Sequence, residues 1–331
     1  MKRPPTVLQD PSAFAQALCA APQLLERSQE QWLKRFHLKQ PLRASPTVWF
    51  AGTGSSWHVA LWGTDLFLRN GIAARAIPAF DLATKEGPRP HRDDLIFLVS
   101  HRGCRSLTAK ATRACKGARV ILVSGDGAVM GPHELLEASP PEVSKAHSRS
   151  LIGAMAALSV ALGEIKPGLA KTLATQRKKT AAALRKALGR PIPAAALPGQ
   201  GKGWHLVGVG PYLAAAFEVR LKTAEVAHRG AQAYHLEEFL HGPVAAVEQD
   251  DVIWILGADG VPHGKAARAL SARSWRPSTT KGLTPPWLAV LNMVEGFKAA
   301  LALARRDGLD PDSNRMENPR YAKAFRACAS Q

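Results

Sequence analysis

Several features that would assign this chain of 331 residues to a familiar class are scarce or missing. The four cysteines are scattered, with no C-x-x-C pair, which excludes a zinc ribbon or a redox dithiol and favours reduced thiols in the cytoplasm. No apolar segment follows the basic residues at the start, so no signal peptide is expected. No apolar run is long and uninterrupted enough to cross a bilayer, so we expect no membrane-spanning helix.

Acidic residues are also few, 26 against 44 Lys and Arg, which gives a net charge of +18. The basic residues are spread along the chain, apart from modest clusters at 177–179 and 268–276, and no nucleic-acid-binding motif accompanies them. Nucleic-acid binding is therefore disfavoured. The same charge would attract small phosphorylated anions.

Short apolar runs alternate with helical periodicity, which predicts an α/β fold with parallel sheets covered on both faces. The predicted strands are 47–51, 95–100, 119–124, 204–210 and 252–257. The predicted domains are N-terminal helices over 1–44, an α/β domain over 45–187, a linker over 188–203 and a second α/β domain with a C-terminal tail over 204–331.

Two glycine loops follow strands at matching places in this order. Gly52-Thr-Gly-Ser-Ser56 leads into the first helix and Gly208-Val-Gly210 into a later one, and the next strand ends 48 residues after Gly52 and 49 after Gly208. The same unit therefore occurs twice. A Gly-x-Gly loop before a helix can bind an anion on free backbone N–H groups, although a simple tight turn gives the same local pattern.

Polar residues follow the strand that ends near position 100. Ser100-His-Arg-Gly-Cys-Arg-Ser106 would leave the carboxyl edge of the sheet, where open α/β sheets bind ligands. Arg102 and Arg105 either bind a phosphate or carboxylate or remain solvated on a loop.

A helix in the second half carries a lysine between two carboxylates. Glu218, Lys222 and Glu225 are spaced i, i+4 and i+7, which places them on one helix face. Such a stripe is a simple ion-pair ladder or, with the turn residue His241 that follows, the acid–base machinery for proton transfer on a sugar.

These motifs together resemble the sugar isomerase (SIS) domain family over nearly the whole chain. The matching segments are Gly52-Thr-Gly-Ser-Ser-Trp-His58, Leu221-Lys-Thr-Ala-Glu225, Glu238-Phe-Leu-His-Gly-Pro243 and Pro319-Arg-Tyr-Ala-Lys323. The family includes the isomerase half of glutamine–fructose-6-phosphate aminotransferase, stand-alone glucosamine-6-phosphate deaminases and phosphosugar isomerases. The resemblance implies two tandem SIS subdomains, each a five-stranded parallel sheet in a three-layer αβα arrangement.

The resemblance also implies roles for individual residues. Glu225 would move a proton between C1 and C2 of an open-chain sugar, with Lys222 tuning it. His241 would assist ring opening from the neighbouring subunit, which implies a homodimer with shared active sites. Lys323 resembles the family lysine that forms a Schiff base with a ketose. The alternative is that it is one more basic residue of a frayed C-terminal tail. The residues expected to bind the phosphosugar are Gly52, Thr53, Gly54, Ser55, Ser56, Ser100, His101, Arg102, Gly103 and Arg105.

Two departures from the family pattern bear on function. Arg102 and Arg105 stand where the family has hydroxyl residues, which would strengthen phosphate binding, select an altered sugar or close the site. Lys2 stands where a glutaminase would have cysteine, so we expect no glutaminase activity. Without that ammonia source, deamination or isomerisation of an amino-sugar phosphate is the favoured reaction; the alternatives are an isomerase of another phosphosugar or a non-catalytic sugar-phosphate sensor. No metal or other cofactor is expected.

Overall fold

The computed structural model describes residues 6–84, 87–129, 133–257, 268–315 and 317–329. It divides the chain into two compact units, each assembled from several stretches of sequence. Unit one comprises Met1–Cys19, Ser144–Ala146 and Ala182–Asn314, and unit two comprises Ala20–Val143, His147–Ala181 and Arg315–Gln331. The sequence predicts domain boundaries at 44, 187 and 203. These boundaries divide the chain in its own order, whereas the two units are defined by contacts in space, so the boundaries stay a prediction.

The helices and strands of the described residues follow in chain order. The α-helices are α1 (Ala13–Glu26), α2 (Gln29–Leu33), α3 (Ser55–Arg69), α4 (Ala79–Ala83), α5 (Ser106–Ala114), α6 (Arg149–Ile165), α7 (Ala170–Leu188), α8 (Pro211–Val226), α9 (Leu236–Leu240), α10 (Pro285–Arg306) and α11 (Pro319–Ala329). The strands are β1 (Phe36–His37), β2 (Val48–Gly52), β3 (Ala74–Pro78), β4 (Leu95–Val99), β5 (Arg119–Gly125), β6 (Glu134–Ser139), β7 (Trp204–Gly208), β8 (Gln232–His235), β9 (Val252–Ile255) and β10 (Arg273–Trp275).

The sheet of unit two has the strand order β1-β6-β5-β4-β2-β3 and is parallel except for β1, which pairs antiparallel with β6. On one face, Phe50 and Phe97 stack with ring centroids 5.5 Å apart, and Phe67 of α3 meets Phe50 edge-on at 4.9 Å. On the other face, Trp49, Leu98 and neighbouring strand residues pack with α4 and α5. Because both faces are covered by helices, the strands are continuous apolar runs, as predicted.

The sheet of unit one has the strand order β10-β9-β7-β8, and all its pairings are parallel. One face packs Val207 and Ile255 against α9. Trp204 and Trp254 meet edge-on at 5.2 Å, and the indole N–H of Trp254 donates to the Ala196 carbonyl at 2.7 Å. The described residues thus form sheets of six and four strands, where the resemblance implied five in each. The three-layer α/β architecture itself is confirmed.

A buried carboxylate holds the start of α6 in unit two. The Glu142 side chain is fully buried and accepts hydrogen bonds from the backbone N–H groups of Ser148, Arg149 and Ser150, at 2.7, 3.1 and 2.8 Å. Burial raises the pKa of Glu142, but these hydrogen bonds outweigh it and lower the pKa below its ordinary value. Glu142 therefore caps a helix N-terminus, where a negative charge is favoured.

The longest helix, α10, forms the core of unit one. Its composition and its 22 residues would suffice to cross a bilayer, but 94% of the apolar window is buried inside the protein, as in a core helix. Gly296 lets α10 approach α8 closely, because a side chain there would collide with Val219. The helix that carries Lys222 and Glu225 is thereby packed directly on α10.

Candidate active site

The first glycine loop connects β2 to α3 in unit two and has a conformation that requires both of its glycines. A Cβ at Gly52 would collide with the backbone of Ser56, and Gly54 has φ 58° and ψ −128°. Thr53 and Gly54 are exposed, while Ser55 and Ser56 are half-buried. The loop therefore presents backbone and hydroxyl groups at the N-terminus of a 15-residue helix, a suitable place for an anion.

The loop that follows β4 lies beside the first glycine loop. Strands β2 and β4 are parallel neighbours, with Ala51 paired to Leu98, so their carboxyl ends share one edge of the sheet. Ser100 Oγ donates to the Gly103 carbonyl at 2.9 Å, and Gly103, at φ 76°, lies so close to the Val129 backbone that a Cβ would collide with it. The structure thus brings the two predicted phosphate-binding loops together.

The charged residues of this second loop differ in exposure. Arg102 and Arg105 are both exposed, and neither has an ion-pair partner among the described residues. The ring of His101 packs instead on Gly125 and on His147, whose ring centroid is 4.4 Å away. Burial lowers the pKa of His101, and Arg102 lowers it further. The arginines are therefore available to an anionic ligand, whereas the imidazole of His101 serves in packing.

In unit one, the carboxylate–lysine stripe on α8 is largely removed from solvent. Lys222 Nζ lies 2.6 Å from Glu225 Oε2 and 3.2 Å from Glu218 Oε1. The side chains of Lys222 and Glu218 are 1% and 0% exposed, and that of Glu225 is 33% exposed. Burial lowers the pKa of Lys222, but the two carboxylates outweigh it and raise the pKa above its ordinary value. Lys222 is therefore a fixed positive charge, and Glu225 is the member of the stripe that solvent reaches.

Glu218 belongs to this group, although the sequence reasoning assigned it no catalytic role. Its i, i+4 spacing to Lys222 was visible, but the same spacing is common on solvated helices. Burial distinguishes this group from the ion pair of a solvated helix. The carboxylate of Glu218 is fully buried and lies 3.2 Å from Lys222, so it fixes the ammonium group beside Glu225.

His241 ends α9 and lies on the exposed turn that the sequence predicted. Its backbone N–H donates to the Glu237 carbonyl at 3.1 Å, and its side chain is 79% exposed. The ring Nε2 lies 3.6 Å from the Glu237 carboxylate, which is itself exposed. An imidazole in this position is free to contact a ligand or another protein surface.

Lys323 lies in unit two, on helix α11, and its side chain is exposed. Among the described residues it has no ion-pair partner. Its role as a Schiff-base lysine stays a prediction.

The second glycine loop repeats the geometry of the first but has an aromatic ring beside it. Gly210 has φ 52° and ψ −128°, nearly the values of Gly54, and a Cβ at Gly208 would collide with the Tyr212 backbone. The Tyr212 ring lies on Gly257, at the end of the neighbouring strand β9, so closely that a side chain at Gly257 would overlap it. Tyr212 is buried. The two glycine loops therefore share a backbone conformation, and among the described residues the second one differs in having the Tyr212 ring against the end of the neighbouring strand.

Within the described ranges, no three His, Cys, Asp or Glu side chains converge in a way that could hold a metal ion.

Comparison with solved structures finds the same fold in phosphosugar enzymes. The chain is similar to glucosamine-6-phosphate deaminase from Thermotoga maritima, with a TM-score of 0.67, 19% identity and coverage of 91% of this chain and 97% of that one. It is similar to the C-terminal domain of glucosamine-fructose-6-phosphate aminotransferase from Francisella tularensis, with a TM-score of 0.75, 13% identity and coverage of 93% and 100%. Tagatose-6-phosphate ketose/aldose isomerase from Escherichia coli gives a TM-score of 0.69 at 14% identity, with coverage of 94% and 98%.

Sequence comparison agrees with these structures. A glutamine–fructose-6-phosphate aminotransferase from Pyrobaculum aerophilum is 26% identical over 267 residues, which is 74% of this chain and 42% of that protein. The chain thus spans less than half the length of this curated relative. No protein-family model matches the sequence. The class is that of α/β proteins with the phosphosugar isomerase fold, and the predicted resemblance to the sugar isomerase family is confirmed.

Proposed function

We propose that this protein is a phosphosugar-processing enzyme that deaminates or isomerises an amino-sugar phosphate, with glucosamine 6-phosphate as the leading substrate. The observation that carries the proposal is the buried Glu218–Lys222–Glu225 stripe, which holds one accessible carboxylate beside a permanent positive charge. Such a carboxylate is suited to remove a proton from carbon and return it.

The reaction follows from proton transfer by Glu225. In the open-chain aldehyde, Glu225 takes the proton from C2, which gives an enolate that still bears the amine. Return of the proton to C1, with transfer of one amine proton to O1, gives a 2-imine, and water hydrolyses this imine to fructose 6-phosphate and ammonia. One water is consumed and no oxidant is needed. Lys222 stays protonated, and its positive charge lies 2.6 Å from the carboxylate oxygen of Glu225, the base in this scheme.

Binding would use the edge of the sheet in unit two. Backbone N–H groups of the Gly52–Ser56 loop and the hydroxyl groups at its end suit a phosphate. Arg102 and Arg105 have no carboxylate partner among the described residues and are suited to bidentate contacts with phosphate oxygens. We therefore expect both arginines to strengthen substrate binding rather than to close the site.

His241 would assist ring opening in the active site of a second copy of the chain, which makes the enzyme a homodimer with shared sites. Its exposed position supports this assignment, and Lys323 would form a Schiff base with the keto form. We place the enzyme in the cytoplasm, and the unpaired thiols of Cys19, Cys104 and Cys115 suit a reducing compartment.

The direct test is to incubate the purified protein with glucosamine 6-phosphate and measure ammonia and fructose 6-phosphate together. Equal release of both products is expected, with loss of both in Glu225→Gln. Glu30→Gln, an exposed carboxylate at 78% exposure, is the matched control and should retain full activity. Saturable binding of the sugar phosphate with no product from this or another phosphosugar would contradict the enzyme assignment and favour a sensor.

The shared site is tested separately by mixing two inactive variants. Glu225→Gln and His241→Ala would each be inactive alone, but mixed dimers would contain one intact site. Random exchange of subunits should then restore about a quarter of the wild-type activity. No recovery after confirmed exchange would show that each chain supplies its own histidine.

The second candidate is a ketose/aldose isomerase of another phosphosugar. The structural likeness to tagatose-6-phosphate ketose/aldose isomerase favours it, and the same base at Glu225 would serve. This candidate is selected if the protein interconverts a ketose phosphate that carries no amine with its aldose and releases no ammonia from glucosamine 6-phosphate.

A further inference from the structure

A concave site of about 250 Å³ lies within unit one, between the N-terminal segment and α10. None of the residues proposed for catalysis lines it. Its apolar wall includes Val7, Ile192 and Leu301, and its charged residues include Asp10, Arg190 and Lys298. The volume is just below the range of about 300–1,000 Å³ that is typical of sites for drug-sized ligands. The site is therefore suited to a small molecule with an apolar body.

Two of the arginines at this site already have a carboxylate partner, which for Arg306 is shared with Arg229. Arg305 donates through Nε and Nη2 to both oxygens of Asp10, at 2.6 and 2.7 Å. Arg306 donates to Asp307 at 3.1 Å and to the Pro198 carbonyl at 2.7 Å. Each of these guanidinium groups thus has a carboxylate partner and two of its five N–H donors engaged within the protein.

The remaining two cations are not neutralised in the same way. Lys298 is only 3% exposed, and its ion-pair partner Glu295 lies 3.6 Å away, longer than a direct hydrogen bond. Arg190 is exposed at the cavity, and among the described residues it has no ion-pair partner. Burial lowers the pKa of Lys298, Glu295 offsets part of this effect, and the positive charge of Arg190 adds to the lowering. The two cations therefore repel one another beside an apolar wall, and an anion between them would relieve that repulsion.

We propose that this cavity binds a small carboxylic acid, with the carboxylate at Arg190 and Lys298 and an apolar body against Val7, Ile192 and Leu301. The pairing of charges supports an anion at Arg190: Asp10 pairs with Arg305, Glu295 with Lys298, and Asp307 with both Arg306 and Arg229, whereas Arg190 has no ion-pair partner among the described residues. The apolar wall favours a carbon skeleton over a bare inorganic anion.

Benzoate is the probe that tests this site, with benzamide as its neutral equivalent of the same shape. Binding to the full chain is measured by calorimetry and by protein NMR. Benzoate is expected to bind one site with a Kd of the order of millimolar, and benzamide and inorganic phosphate at least tenfold more weakly. Equal binding of benzoate and benzamide, or of benzoate and phosphate, would overturn the proposal, as would no saturable binding of benzoate.

Two substitutions locate the bound probe. Arg190→Gln should weaken benzoate binding at least tenfold, whereas Arg92→Gln, at an exposed arginine outside this cavity, should leave it unchanged. Ala302→Phe, at a half-buried position of α10, fills the cavity and should abolish binding while the protein remains folded. Unaltered benzoate affinity in Arg190→Gln and Ala302→Phe would show that benzoate binds elsewhere and would refute the assignment.

Discussion

Replacing Lys222 by methionine tests whether the charged stripe on α8 is a buried ion-pair group that the fold depends on or an ordinary ion-pair ladder of a solvated helix. Methionine keeps the length of the side chain but leaves Glu218, which is fully buried, without its counter-charge. Removing one partner of a buried ion pair costs about 3–5 kcal/mol, because the other charge stays desolvated. At about 2 °C per kcal/mol for a chain of this length, Lys222→Met should lower the Tm by roughly 6–10 °C.

The pH matters for this measurement. The pKa of Lys222 is raised above its ordinary value of 10.5, so the lysine is charged in both the folded and the unfolded chain at pH 7. Its stabilising contribution is therefore complete at neutral pH and is lost as the pH rises through the folded pKa. Thermal and urea unfolding at pH 7, followed by circular dichroism, give the full effect.

Lys34→Met provides the matched control for the same i, i+4 spacing. Lys34 and Glu30 are 2.9 Å apart but 72% and 78% exposed, so their loss should cost less than about 0.5 kcal/mol. The double variant Lys222→Met with Glu218→Gln should be more stable than Lys222→Met alone, because the uncompensated charge is gone. If Lys222→Met and Lys34→Met proved equally stable, the reasoning from burial would be refuted.

Two further predictions concern unit one and its loops. Burial raises the pKa of Asp10, but hydrogen bonds from Arg305 and Ser12 lower it from 3.8 to about 2, which corresponds to about 2 kcal/mol of stability above pH 4. That contribution should vanish as the pH falls through about 2. Asp10→Asn should therefore be less stable than the wild type in urea at pH 7 and equally stable at pH 2. A loss of stability that does not change with pH would exclude the ionised carboxylate as the source of the stabilisation. Gly257→Ala should lower the free energy of unfolding by at least about 2 kcal/mol more than Gly127→Ala. Both glycines have φ 70°, but only at Gly257 would the added methyl group collide with the Tyr212 ring. Equal losses in urea unfolding would contradict the placement of Tyr212.

The strands of the parallel sheets were predictable because burial on both faces leaves a plain signature. β2, β4 and β5 are short apolar runs, and each lies within two residues of its predicted bounds. The glycine loops were predictable because Gly54 and Gly210 need a backbone conformation that other residues rarely adopt. The antiparallel strand β1 was not predicted, since two residues, Phe36 and His37, carry no periodicity.

The parts of the site that the sequence did not reveal depend on side chains that meet across the fold. The sequence shows two equivalent glycine loops, but only the structure shows that the Tyr212 ring lies against Gly257 beside the second one. Likewise, the stripe of Glu218 and Lys222 reads as an ordinary surface ladder until burial is known. Local sequence patterns predict the backbone conformation that a segment requires, whereas the exposure of a side chain depends on how segments distant in the sequence pack on it.

The central claim is that Glu225 transfers a proton between C1 and C2 of an open-chain phosphosugar, and solvent exchange measures that step directly. Glucosamine 6-phosphate is incubated with the protein in D₂O, and the C2 proton signal is followed by NMR alongside the products. The account predicts that the wild type exchanges this proton and that Glu225→Gln, still folded and still binding the sugar, exchanges it about 10²–10⁴-fold more slowly. Exchange at the wild-type rate in Glu225→Gln would contradict the account.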